Sequence, residues 1–254
     1  MRSHFKQELL YLLVGVAALA ALIFLLPLAD TPEPDQSARL AAYASVLAPV
    51  AALLHGSLLA ARGYTTSRVL TFGAAAAAFG VSFALLARPE VLENGSGFLL
   101  SLALLLGNLF RILAATCVGI LLARYIRSVG IVLLVVAVAV ASDLFSVFAG
   151  PTKVLLEEDS AVLDFLLLVF PTFGSALGFS LGVSDFVFLA LFAAASCFLN
   201  LRYLATLLGV CLATFVALTV GLLLERPLPA LPFVAIAFVL VNADLILTHF
   251  KKTY

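Results

Sequence analysis

The sequence predicts an all-α polytopic membrane helix bundle of about eight spans. Three observations carry the prediction. Of the 254 residues, 64% are hydrophobic and 11% charged, where a soluble domain carries about 25% charged residues. Mean hydropathy is +1.22. The apolar excess also falls into runs of about 20 residues, the length a helix needs to cross the hydrocarbon.

Eight spans follow in order: 9–29, 40–61, 69–87, 98–123, 129–149, 179–199, 203–224 and 230–249. The first is too long for a signal-peptide core and lacks a small-residue cleavage site, so it reads as a helix that stays in the membrane. "DTPEPDQSAR", "RGYTTSR" and "RPEVLENGSG" break the chain after spans one, two and three with turn-forming residues. The alanine run 74–78 in the third span predicts close helix packing, which small residues permit. The fourth span carries Asn108 and Arg111 in mid-run, so it is open to being tilted, broken or two fused helices.

The loops alternate in charge. Arg2, Lys6, Arg62, Arg68, Arg124, Arg127, Arg202, Lys251 and Lys252 mark one face; Asp30, Glu33, Asp35, Glu90, Glu93, Glu157, Glu158 and Asp159 mark the other. Basic loops stay in the cytoplasm, so both termini are predicted cytoplasmic and the acidic segment 150–178 outside, with Arg39, Arg88, Lys153 and Arg226 running against the pattern. Net charge is zero, which argues against a nucleic-acid partner. Cys117, Cys197 and Cys211 lie in apolar runs without metal-ligand spacing, and His4, His55 and His249 are scattered. Neither a metal nor an organic cofactor is expected.

Two acids stand inside these runs. Asp143 lies in "VASDLFSVFAGP" near the end of the fifth span, and Asp185 in "LGVSDFVFLALF" near the start of the sixth. The loop between the two spans lies on one face, so both carboxylates fall on the order of 10 Å below it at 1.5 Å per residue. An acid in hydrocarbon is costly and usually functional. Two close carboxylates cannot both ionise cheaply and share a proton, an arrangement suited to peptide hydrolysis. Three other readings stand beside it: a proton relay in a transporter, a catalytically silent binding protein, and an ion pair of Arg111 with either acid. Asp244, some 20 Å toward the other face, is expected to pair or snorkel there near His249 and Lys251.

A third feature is "RPLPALPFVAI", where Pro227, Pro229 and Pro232 crowd the start of the last span. Proline removes N–H donors and leaves carbonyls without partners. Such backbone survives in a membrane only against protein or water, although proline is also common in an ordinary first helical turn.

The order "SDLFSVFAGPTKVLLE", "LGVSDFVF", "PALPF" resembles the presenilin and signal peptide peptidase family of intramembrane aspartyl proteases, with wording closer to presenilin. The resemblance covers about 129–250. It implies catalytic Asp143 and Asp185, with Gly150 and Pro151 following the first. The family's Gly-x-Gly-Asp motif falls on Gly182 to Asp185, with Ser184 in place of the second glycine, and its Pro-Ala-Leu motif on Pro229, Ala230 and Leu231. The tyrosine that commonly precedes the first aspartate is Ser142. The resemblance implies a presenilin-like fold of eight to nine helices, with 1–128 as scaffold and 129–254 as catalytic region. It implies hydrolysis of a transmembrane protein or peptide within the lipid bilayer, after the substrate helix unwinds.

An unwound substrate needs new backbone partners. Within "AVLDFLLLVFPTFG", 161–174, residues 165–170 are expected to pair with it as a strand beside Pro229–Leu231, with an interfacial helix as the other reading. Leu167→Pro is then expected to abolish cleavage.

Overall fold

The computed structural model describes residues 2–29, 35–86, 97–148, 166–226 and 228–253. It is a helix bundle carrying one short hairpin. The helices are α1 (Arg2–Leu25), followed by a 3-10 turn at Leu26–Leu28, then α2 (Gln36–Arg62), α3 (Thr66–Leu86), α4 (Gly97–Tyr125) and α5 (Val129–Phe148). The hairpin strands β1 (Leu167–Thr172) and β2 (Ser175–Gly182) come next, then α6 (Val183–Phe198), α7 (Tyr203–Leu223) and α8 (Leu231–Thr253). Seven of the helices are long and apolar enough to cross a membrane, and α6 is a shorter apolar helix. The chain is an integral, multi-pass membrane protein.

The helices pack through small residues, because lipid tails offer no hydrophobic drive for association and close approach must supply the contact energy. A Cβ on Gly15 of α1 would come within 2.8 Å of Leu53, and one on Gly56 of α2 within 2.9 Å of Leu12. On α3, Gly73, Ala76, Gly80 and Ala84 form the buried stripe against α4. Only Ala76 of the alanine run belongs to that stripe, and the flanking glycines complete it. The fourth span is one continuous helix, neither broken nor fused.

At the centre, α6 lies on α4 with Leu189–Ser196 wholly buried. Gly119 of α4 permits this contact: a Cβ there would overlap the Val187 carbonyl and stand 2.7 Å from Ala190 Cβ. On the far side α7 joins α6 to α8, where buried Asn242 donates to Thr206 Oγ1 at 2.8 Å and accepts from the Arg202 N–H at 3.0 Å. Asp244 pairs with Arg202 at 2.6 Å, both largely exposed. It therefore pairs at the face opposite the hairpin, as expected, through a residue 42 positions away in sequence.

The expected helix from 179 is corrected: residues 175–182 are strand, and α6 begins at Val183. Sixteen residues of α6 rise about 24 Å, short of a hydrocarbon core of roughly 30 Å. The extended backbone of β2 covers the remaining depth. It survives there because β1 pairs with it and the 3-10 turn after α1 packs against it. The ring of Tyr43 on α2 lies 4.4 Å from that of Phe179, tilted against it, and the turn is fastened where the Gly174 N–H donates to the Leu26 carbonyl at 3.1 Å. Gly174 takes φ 76°, a conformation that suits glycine.

Candidate active site

Asp185 is the third residue of α6, one turn from the end of β2. The helix has no side-chain cap at Gly182, and the Asp185 carboxylate instead reaches back toward the Gly182 backbone. This is the position of the acid in a capping box, which reaches back from the first turn to the residue preceding the helix. A Cβ on Gly182 would stand 3.2 Å from both Asp185 Oδ2 and Ser184 Oγ. The glycine therefore leaves the carboxylate room to turn back over the helix start. Ser184 is exposed beside it.

Asp143 sits one and a half turns before the end of α5, a helix that leans on α8. Its Oδ2 accepts the Leu231 N–H at 2.9 Å. The position of Leu231 as first residue of α8 explains why that donor is available. The first N–H groups of a helix have no partner within it. In α8, Pro232 has none to offer, while Phe233 and Val234 donate to the Ala230 carbonyl at 3.1 and 3.2 Å. Leu231 remains, at the positive end of the α8 dipole, and a carboxylate fits there. Pro229 and Leu231 are buried and Ala230 half-buried.

The structure thus brings Asp143, Asp185, Gly182, Ser184 and the Pro229–Leu231 segment to one end of the bundle, with the two carboxylates within electrostatic reach of each other. Asp143 is held by the backbone N–H at the start of α8, and Asp185 lies in the first turn of α6. Gly150 and Pro151 lie outside the described residues, as does Phe165. Among the described residues, no group of three or more His, Cys, Asp or Glu gathers as a metal site. A cavity of about 470 Å³ lies toward the opposite face, lined by Leu12, Leu53, Tyr64, Arg68 and Ile120 among others, and takes no part in this arrangement.

Two findings alter the expected geometry. Leu167 does lie in a strand, but β1 pairs with β2: Leu167 faces Gly182, Leu168 faces Leu181, Val169 faces Ser180 and Phe170 faces Phe179. The other flank of β1 is occupied. The Leu167 carbonyl accepts from Arg111 Nη1 at 2.6 Å, and the Val169 carbonyl from Asn108 Nδ2 at 2.5 Å. In an antiparallel ladder, residues alternate between bonding their partner and pointing away. Leu168 and Phe170 therefore bond β2, while Leu167 and Val169 point to α4. By the same alternation Ser180 points away from β1, and it is exposed. Among the described residues no strand pairs with the outer edge of β2, whereas both edges of β1 are taken, so Leu167 lies on the flank that faces α4.

The second finding concerns Arg111. Besides Leu167, its guanidinium donates to the Gly107 carbonyl at 3.1 Å and to Asn108 Oδ1 at 3.2 Å. These bonds tie it to the hairpin and its own helix, a role that the alternative reading of an ion pair with an aspartate did not include. No family model matches the chain, and no curated protein matches it.

Proposed function

We propose that the protein is an intramembrane aspartyl protease that cuts peptide bonds in transmembrane segments. One observation supports this above the others: Asp143 and Asp185 stand at one end of the bundle within electrostatic reach of each other, next to β2, with Asp143 oriented by the Leu231 N–H at the start of α8. The pair shares one proton. The ionised member takes a proton from water as it attacks the scissile carbonyl, and the protonated member hydrogen-bonds that carbonyl oxygen. Collapse of the tetrahedral diol breaks the C–N bond, and the amine leaves with a proton from the pair. Because the two titrate as a unit, acid and base are not assigned individually.

The substrate must leave its helix before its carbonyls are accessible. On this reading the unwound segment adds to β2 at Ser180, in line with Asp185, and not to β1. Leu168→Pro removes an N–H that bonds β2 and is expected to lower cleavage at least tenfold. Leu167→Pro, at the first residue of the strand with its N–H turned from β2, is expected to have a milder effect. Equal loss in both variants would count against the β2 edge.

Gly182→Ala gives a second expected outcome. The new Cβ would press the Asp185 carboxylate by a few tenths of an ångström. Since a 1 Å misplacement costs about 100-fold, kcat should fall roughly threefold to tenfold with melting temperature little changed. An unchanged kcat would show that the Asp185 placement tolerates a side chain at this turn.

The loop charges put the hairpin face outside the cytoplasm, which makes type II membrane segments or signal-peptide remnants the preferred substrates. A reporter joined after Tyr254 should then lie in the cytoplasm. The test of the activity itself is covalent labelling of the detergent-solubilised protein by a photoreactive transition-state analogue of aspartyl proteases. Labelling competed away by unlabelled analogue is expected. A folded wild type that takes no label would replace this reading with a proton-coupled transporter or a silent binding protein.

A further inference from the structure

Asn108 and Arg111 are polar side chains at the middle of a membrane helix, 0% and 6% exposed. Both reach the same neighbouring strand, β1. Residues three apart on a helix stand about 5–6 Å from each other, and alternate carbonyls on one edge of a strand about 6.6 Å. The longer arginine bridges the difference, so the pair meets the Leu167 and Val169 carbonyls as the N–H groups of a third strand would.

The clamp is itself fixed. Arg111 Nη2 donates to Asn108 Oδ1, which orients the amide so that Nδ2 faces Val169. Arg111 Nε is held by the Gly107 carbonyl. Gly80 of α3 closes over the stem, where a Cβ would come within 2.7 Å of Arg111 Cγ. A hairpin slipped by one residue would present N–H groups and the opposite side chains to α4, so the clamp rejects that slip.

We propose that Asn108 and Arg111 are positioning residues. They set the height and register of the hairpin against α4, and through β2 the place of Asp185 and the peptide bond that is cut. The last step rests on the protease reading above; the first does not.

The test compares wild type, Asn108→Leu, Arg111→Leu and Arg111→Lys in one detergent by amide hydrogen exchange and by the cut positions in a synthetic single-span peptide. Exchange across 167–182 is expected to rise at least tenfold in both leucine variants and less in Arg111→Lys, with α6–α7 exchange unchanged. Cut positions are expected to spread to neighbouring bonds in the variants. Unaltered hairpin exchange would overturn the proposal, as would a rise spread evenly over all helices. A loosened hairpin with unchanged cut positions would overturn its link to cleavage. If wild type neither takes the analogue nor cuts, the protease reading fails, and the exchange arm alone decides whether the clamp holds the hairpin.

Discussion

Asparagine at either Asp143 or Asp185 is expected to lower cleavage by at least about 10³-fold, within the range that a positioned acid–base group contributes. The double substitution should be no worse than either single one, because the two groups act as a unit. Asparagine is the informative replacement at 143. Its carbonyl oxygen can still accept the Leu231 N–H that Asp143 Oδ2 accepts at 2.9 Å, so the start of α8 stays held while the ionisable group is lost. Alanine would also leave that N–H without an acceptor, a cost of roughly 1–3 kcal/mol. Asp143→Ala should therefore melt below Asp143→Asn although both are inactive. Substantial turnover by either asparagine variant would end the paired-carboxylate mechanism.

Gly119→Val is expected to have the largest effect on the fold. The added Cβ would overlap the Val187 carbonyl and press on Ala190. The obstacle is largely helix backbone, which cannot rotate aside as a side-chain tip can. Overpacking costs typically about 1–3 kcal/mol and sometimes more, and this contact, where α4 meets the buried face of α6, belongs at the upper end. The expected result is a lowered melting temperature and a smaller monodisperse peak on size exclusion. Gly97→Val, at a position with no neighbour within 4 Å of a built Cβ, is the control. Wild-type stability in Gly119→Val would show that α6 sits further from α4 than this packing requires.

The helices were legible because a membrane imposes a length on them: runs such as 203–224 and 230–249 reappear as α7 and α8 within a few residues. The hairpin was legible only in half. "LLLVFPT" carries the aromatic and branched residues of a strand, whereas "SALGFSLG" continues without a break into the apolar run of α6. Short apolar stretches do not distinguish strand from helix by periodicity. The aspartates announced themselves by the cost of a carboxylate in hydrocarbon. Asn108 and Arg111 were equally visible as polar residues, but their partners are main-chain carbonyls 56 and 61 residues away. Every residue has such a carbonyl, so nothing in the identities of Leu167 and Val169 names them as acceptors. The i, i+3 spacing of Asn108 and Arg111 was the one available sign that the two act together.

The setting of α5 has a practical consequence. Its protein contacts lie chiefly along α8, and its other flank presents Leu134, Val138 and Phe145, each at least 60% exposed. Whatever surrounds that flank thus bears on the helix that carries Asp143. Acyl-chain length, detergent type and bilayer thickness become variables of the experiment on the same footing as pH or temperature. A rate measured in one micelle describes that mixture, and comparisons between variants belong within a single defined lipid.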